Sequence, residues 1–148
     1  MANPDSVGQN TQDSFGNFRI ATVGPVSLAA TANAVAALPI LRGGMQGTGQ
    51  FIVRRITVAN LSNTVTGGAA PNAATVQISV GATNDGANLF ANAQALTNLT
   101  GAGTYADLTL SATANTSSSN ANAFFVNVTA NVANAQAYIS LYGDVVTF

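Results

Sequence analysis

The chain contains no cysteine, histidine, lysine, glutamate or tryptophan. Each absence closes a class of chemistry. Without Cys or His there is no thiolate nucleophile, no imidazole base and no zinc site of the usual nitrogen–sulfur type. Without Lys there is neither a Schiff base nor the phosphate-clamping lysine of a P-loop. All four basic residues are Arg (Arg19, Arg42, Arg54, Arg55) and all five acids are Asp (Asp5, Asp13, Asp85, Asp107, Asp144). General acid–base work would fall to these aspartates and to tyrosine. The aspartates are scattered, with no close pair such as Asp-x-Asp, so a carboxylate dyad could arise only by folding. The expectation is a non-enzymatic protein with no cofactor and no metal site.

Charge is scarce as well as uniform in type. Only 6% of the 148 residues are charged, against about 25% in ordinary soluble domains. With a net charge of −1 there is no basic field to displace counterions from phosphates, so nucleic acid is not an expected partner. Nor is there an Arg-rich N-terminal arm of the kind that neutralises a packaged genome. The most apolar stretch, Leu28 to Leu41, is Ala-rich, broken by Thr31, Asn33 and Pro39, and too short to cross a bilayer. The opening MANPDSVGQNTQDS has neither a basic nor an apolar leader region, which predicts cytoplasmic synthesis without export. The missing cysteines exclude a disulfide framework.

What is present reads as a folded sheet protein. Leu, Ile, Val and Phe make up 37 of the 148 residues, above the level of disordered chains, and they cluster in short alternating runs. Residues 1–17 are polar and read as an extended arm ahead of a domain at 18–148. Phe18 to Val23 predicts a strand with Phe18, Ile20 and Thr22 on one face and Arg19, Ala21 and Val23 on the other. Gly24-Pro25 interrupts it and Val26 to Leu28 resumes. Thr31 to Leu41 reads as a loop running into a short strand over Pro39 to Leu41, and Gly43 to Gly49 as a turn.

Gln50 to Asn60 is the clearest strand. Phe51 and Val53 share one parity, Ile56 and Val58 the other, and the phase slips at Arg54-Arg55. Such a slip means a β-bulge or a strand that changes sheets. The arginine pair is then either a subunit-contact device, where Arg outperforms Lys, or two ordinary solvated side chains.

Further strands are predicted with Val76, Ile78 and Val80 inward and Gln77 and Ser79 outward. Others have Ala106, Leu108 and Leu110 inward against Asp107 and Thr109, and Phe124, Val126 and Val128 inward against Asn127 and Thr129. Ala137 to Tyr142 and Val145 to Phe148 complete the set. Leu89 to Leu99 has near-helical spacing and reads as a short helix or an irregular strand. Gly81 to Asn88 has the oxygen-rich look of a calcium loop. With Asp85 as its sole acid it reads better as a turn. About eight β-segments at this spacing predict an antiparallel β-sandwich, jelly-roll-like.

The polar arm from Asn3 to Asn17, the Ala/Asn/Thr/Gly-rich strands and the stretch TVQISVGATNDGANLFANAQALTNLTGAGTYADLTL (Thr75 to Leu110) together resemble the decoration, or cement, proteins of tailed-bacteriophage capsids. The resemblance is one of sequence style over most of the chain, without a diagnostic motif. It implies a β-rich, homo-oligomeric and often trimeric virion protein on the capsid exterior, partnered by the phage major capsid protein. Low surface charge suits a chain largely covered in an assembly, and the arm can order on binding across a neighbour. The contact candidates are Arg54 and Arg55 on the domain, with Asn3, Asp5 and Phe15 on the arm. The alternative is a carbohydrate-binding or adhesin-like module. Tyr138 and Tyr142 share a strand face there and form either a sugar platform or a cap on the core edge.

Overall fold

A computed structural model describes residues 18–29, 33–37, 49–82, 89–112, 114 and 123–147. The arm residues Asn3, Asp5 and Phe15 lie outside them, as do Arg42, Asp85 and Pro39 to Leu41. The described residues form eight strands: β1 (Phe18–Ser27), β2 (Asn33–Ala37), β3 (Gly49–Asn63), β4 (Gln77–Gly81), β5 (Leu89–Ala95), β6 (Tyr105–Asp107), β7 (Ala123–Ala130) and β8 (Ala135–Thr147). They make two antiparallel four-stranded sheets. The front sheet has the order β1-β8-β3-β6 and the back sheet β2-β7-β4-β5. The expected all-β antiparallel sandwich is therefore present. Its pairing is nested: β1 with β8, β2 with β7, β3 with β6 and β4 with β5, closed by β3–β8 and β4–β7 contacts.

One apolar core lies between the sheets. Ile20, Val53, Ile56, Val58, Ile139 and Leu141 from the front meet Ile78, Val80, Phe124, Val126 and Val128 from the back. The alternating strands bury every second residue because successive side chains point to opposite faces. The Phe51 and Phe90 rings bridge the two sheets edge-on, with centroids 6.1 Å apart, a favoured aromatic geometry.

Asparagine closes the loops. The side chain of Asn63 accepts from the Val65 N–H at 2.8 Å and donates to the Ala69 carbonyl at 2.9 Å, while Asn72 accepts from the Ala74 N–H at 2.9 Å. This local bonding is what makes Asn a turn residue.

Four expectations need correction or refinement. Ile20 and Ala21 were predicted on opposite faces, yet both are buried, because a register shift between Arg19 and Ala21 makes Ile20 a bulge residue. Ser79, expected to face solvent, is buried at 8% exposure beneath the irregular edge of β5. There it accepts the Ala93 N–H at 2.9 Å and donates to Asn92 Oδ1 at 3.3 Å. The Thr31–Leu41 segment holds a strand at Asn33–Ala37, where a loop was expected, since pairing with β7 overrides a weak Ala-rich propensity. Ala137–Tyr142 and Val145–Phe148 are not two strands, because β8 runs unbroken from Ala135 to Thr147.

For Leu89–Leu99 the structure chooses the irregular strand. Register shifts in the β4–β5 pair and a positive φ of 46° at Ala93 bury Phe90 and Ala91 in succession. A tight turn, with the Leu99 N–H on the Leu96 carbonyl at 2.8 Å, then buries Leu96 and Leu99. Two irregularities in a strand thus imitate helical spacing.

Candidate functional site

The phase slip in β3 is a β-bulge. Val53 pairs with Gly143 and Arg55 with Tyr142, so Arg54 is the extra residue. Both arginines therefore face outward while Val53 and Ile56 stay in the core. The bulge constrains β8 in turn. A Cβ at Gly143 would collide with the Ile52 carbonyl oxygen, so only glycine lets the two backbones approach this closely.

Each arginine meets an aspartate from another strand. Arg54 Nε lies 2.8 Å from Asp144 Oδ2 on β8. Arg55 holds Asp107 on β6 with two bonds, Nε to Oδ1 at 2.9 Å and a terminal nitrogen to Oδ2 at 3.0 Å. Thr57 donates its hydroxyl to the same Oδ1 at 2.7 Å. Bidentate geometry fixes both the orientation and the position of the guanidinium. The Arg55 Cζ also sits 6.0 Å from the ring centroids of Tyr105 and of Tyr142, so the cation is flanked by two aromatic rings.

The hydrogen bond to Asp107 is the largest influence on Arg55 and raises its pKa, against a smaller lowering by burial. For Asp107, partial burial acts upward. Hydrogen bonds from Arg55 and Thr57, with the charge of Arg55, outweigh it and hold the carboxyl below its ordinary value.

The registers extend this cluster into a face. Arg19, Tyr142 and Arg55 form one outward row across β1, β8 and β3. Thr22, Ser140, Thr57 and Asp107 form the next, with Thr22 and Ser140 hydroxyls 2.8 Å apart. Tyr138, Ala59 and Tyr105 form a third. Tyr138 and Tyr142 thus share a face as expected. Tyr138 packs over Gly24, where a Cβ would lie 2.6 Å from its ring, and remains 37% exposed. Tyr105 is 55% exposed.

Among the described residues, every charged side chain and all three tyrosines of the chain stand on the front sheet. Of the candidates named from sequence, Arg54 and Arg55 are brought together with Asp144, Asp107, Tyr105 and Tyr142. The partners Asp107 and Tyr105 were missed as site residues. The signal was faint: a Tyr-Ala-Asp triplet whose alternation put both on the face opposite Ala106. Comparison with known protein families, with curated proteins and with solved structures returned no match.

Proposed function

We propose that the protein is a non-enzymatic structural virion protein that binds the outside of a tailed-phage capsid and stabilises contacts between shell subunits. The observation that carries this reading is the locked Arg55 guanidinium, held by Asp107 between Tyr105 and Tyr142 on an exposed sheet face. Tyr and Arg are the residue types that dominate interface hot spots, and an anchor already fixed in place costs little ordering on association. The nested pairing of the eight strands supports a jelly-roll reading, an architecture recurrent in capsid proteins and lectins. The low charge adds support, because charged residues are depleted from interface cores. In this reading the β3–β6 half of the front sheet meets the shell, and the partner is the major capsid protein.

The test adds purified protein to undecorated capsids and follows binding and the temperature of capsid rupture. The expected result is saturable binding with a raised rupture temperature, both strongly reduced by Tyr105→Ala. Absence of binding to capsids would sink the reading.

A second reading rests on one specific feature. Tyr105 is exposed beside Asp107 and Thr57, which offers a stacking ring next to hydrogen-bonding groups, as a sugar site requires. Binding to a glycan array that is lost in Tyr105→Ala, with no binding to capsids, would favour this lectin-like module.

A further inference from the structure

The β1–β8 half of the front sheet carries a second arrangement of rings and polar groups, apart from the Arg55 anchor. Tyr138 and Tyr142 share the outward face of β8, and their four-residue separation spans roughly 13 Å at about 3.3 Å per residue. Between them the outward side chains are small: Ser140 pairs with Thr22 of β1, and the two hydroxyls are 2.8 Å apart. The Tyr138 ring reaches over β1, into the space that a Cβ at Gly24 would need, and is 37% exposed. Arg19 is the cross-strand partner of Tyr142, which sets their Cβ atoms about 4.5–5.5 Å apart. The face is thus a shallow trough with a ring at each end, hydroxyls on its floor and a guanidinium beside one ring.

Charge and side-chain type select what such a trough can hold. Asp107 and Asp144 are engaged by Arg55 and Arg54. Arg19 is exposed and forms no ion pair among the described residues. Its planar fork of donors matches a carboxylate. A protein partner would find little apolar anchorage here. Among the described residues the exposed large hydrophobics are Val65, Tyr105 and Tyr138, and of these only Tyr138 stands on this half. A sugar chain uses what is present. The C–H faces of its rings stack on tyrosines, which offer an apolar body and a polar tip. Its hydroxyls pair with Thr22 and Ser140, and an acidic substituent pairs with Arg19.

We propose that the β1–β8 face binds an acidic oligosaccharide, with a sugar carboxylate on Arg19, one ring stacked on Tyr142 and a further ring on Tyr138. Platforms this far apart require a chain of sugars rather than a single one. The site is separate from the β3–β6 half assigned to the shell and from the Tyr105 site of the lectin-like reading. A copy docked through the β3–β6 half keeps this face open to solvent.

The test is isothermal titration calorimetry on the full-length chain, with two matched pairs of probes: tetragalacturonate against its neutral methyl ester, and sialyllactose against lactose. The carboxylated member is expected to bind about tenfold or more tighter, the factor carried by a charge-assisted hydrogen bond. Its affinity should fall as salt rises, and the galacturonic acid monomer should bind more weakly than the tetramer. Arg19→Gln should reduce the carboxylated probe to the affinity of its neutral partner. Tyr138→Ala should weaken both, and Tyr105→Ala neither. Because Arg19 is exposed, an unchanged melting temperature in Arg19→Gln separates loss of the site from loss of the fold.

Failure of both carboxylated probes to bind would overturn the proposal. So would equal affinity for the neutral forms, no effect of Arg19→Gln, or an aspartate-rich peptide that binds as tightly as the sugars. Loss of binding in Tyr105→Ala with retention in Tyr138→Ala would overturn it too, and would move sugar binding to the lectin-like site. Capsid binding is measured separately, so the failure of either reading is visible without the other.

Discussion

The two sheets share one core but present opposite kinds of surface. The outward face of the front sheet holds Arg19, Arg54, Arg55, Asp107, Asp144 and the three tyrosines. The described strands of the back sheet carry no charged residue at all, and their outward positions include Gln77, Asn127, Thr129 and the half-buried Phe125. Burial alone does not explain the difference, since the inward faces of both sheets are equally apolar. Sparse charge in a chain can thus mean concentrated charge in a structure: among the described residues, five charges on one sheet form two ion pairs and a guanidinium flanked by aromatic rings, with Arg19 exposed beside them. A single percentage hides that segregation.

The comparison breaks most visibly if the sheets do not share their core. Phe124→Ala in the back sheet is expected to cost about 3–5 kcal/mol and Ile56→Ala in the front about 2–5 kcal/mol. Both should shift one cooperative denaturant transition. Two separable transitions would show that the sheets are energetically independent. A smaller effect is confined to the front sheet. Gly143→Ala forces the Ile52 backbone away and is expected to cost about 1–3 kcal/mol, measured by urea denaturation. An unchanged midpoint would mean that β3 and β8 do not approach as described.

The finest contrast concerns the surface charges. Arg55→Ala or Asp107→Asn should cost only about 0.2–1 kcal/mol, because the pair is largely exposed and screened by solvent. On the back sheet, Gln77→Ala should lie within about 0.5 kcal/mol of neutral. The front-sheet pair also carries a pH signature. The Asp107 carboxyl is held below its ordinary value in the folded state. Its contribution is therefore present above the unfolded-state value and lost as pH falls through the folded one. Melting temperatures followed downward through the acid range should fall less steeply in Asp107→Asn than in the parent. Parallel curves would remove Asp107 from the account of acid sensitivity.

Much of the fold was legible because alternation is a direct record of which side of a strand is buried. The inward rows Val76-Ile78-Val80 and Phe124-Val126-Val128 needed no further information. The slip at Arg54-Arg55 was legible for the same reason, since an extra residue inverts parity. Where strands are irregular, the record is scrambled. Ile20 with Ala21, and Phe90 with Ala91, bury neighbours in succession at bulges whose existence depends on the partner strand. Ser79 is covered by the irregular stretch of β5 at Asn92-Ala93, which no local pattern reports. Of the site, the arginines could be named from sequence, but their partners could not. Asp107 is 52 residues from Arg55, and Asp144 is 90 from Arg54. Only the register of β8 and β6 against β3 brings them together.

The nested pairing also dictates an order of events during synthesis. β8, the last strand in chain order, lies between β1 and β3, so neither has its principal partner until residues beyond 135 have been made. Phe18 must find Gly143 across more than a hundred residues, and contacts of such long range make for slow folding. The back sheet reaches the same point with β7. Nearly the whole chain must therefore leave the ribosome before either sheet can close, and in that interval β1 and β3 have open edges on which nascent copies can mispair.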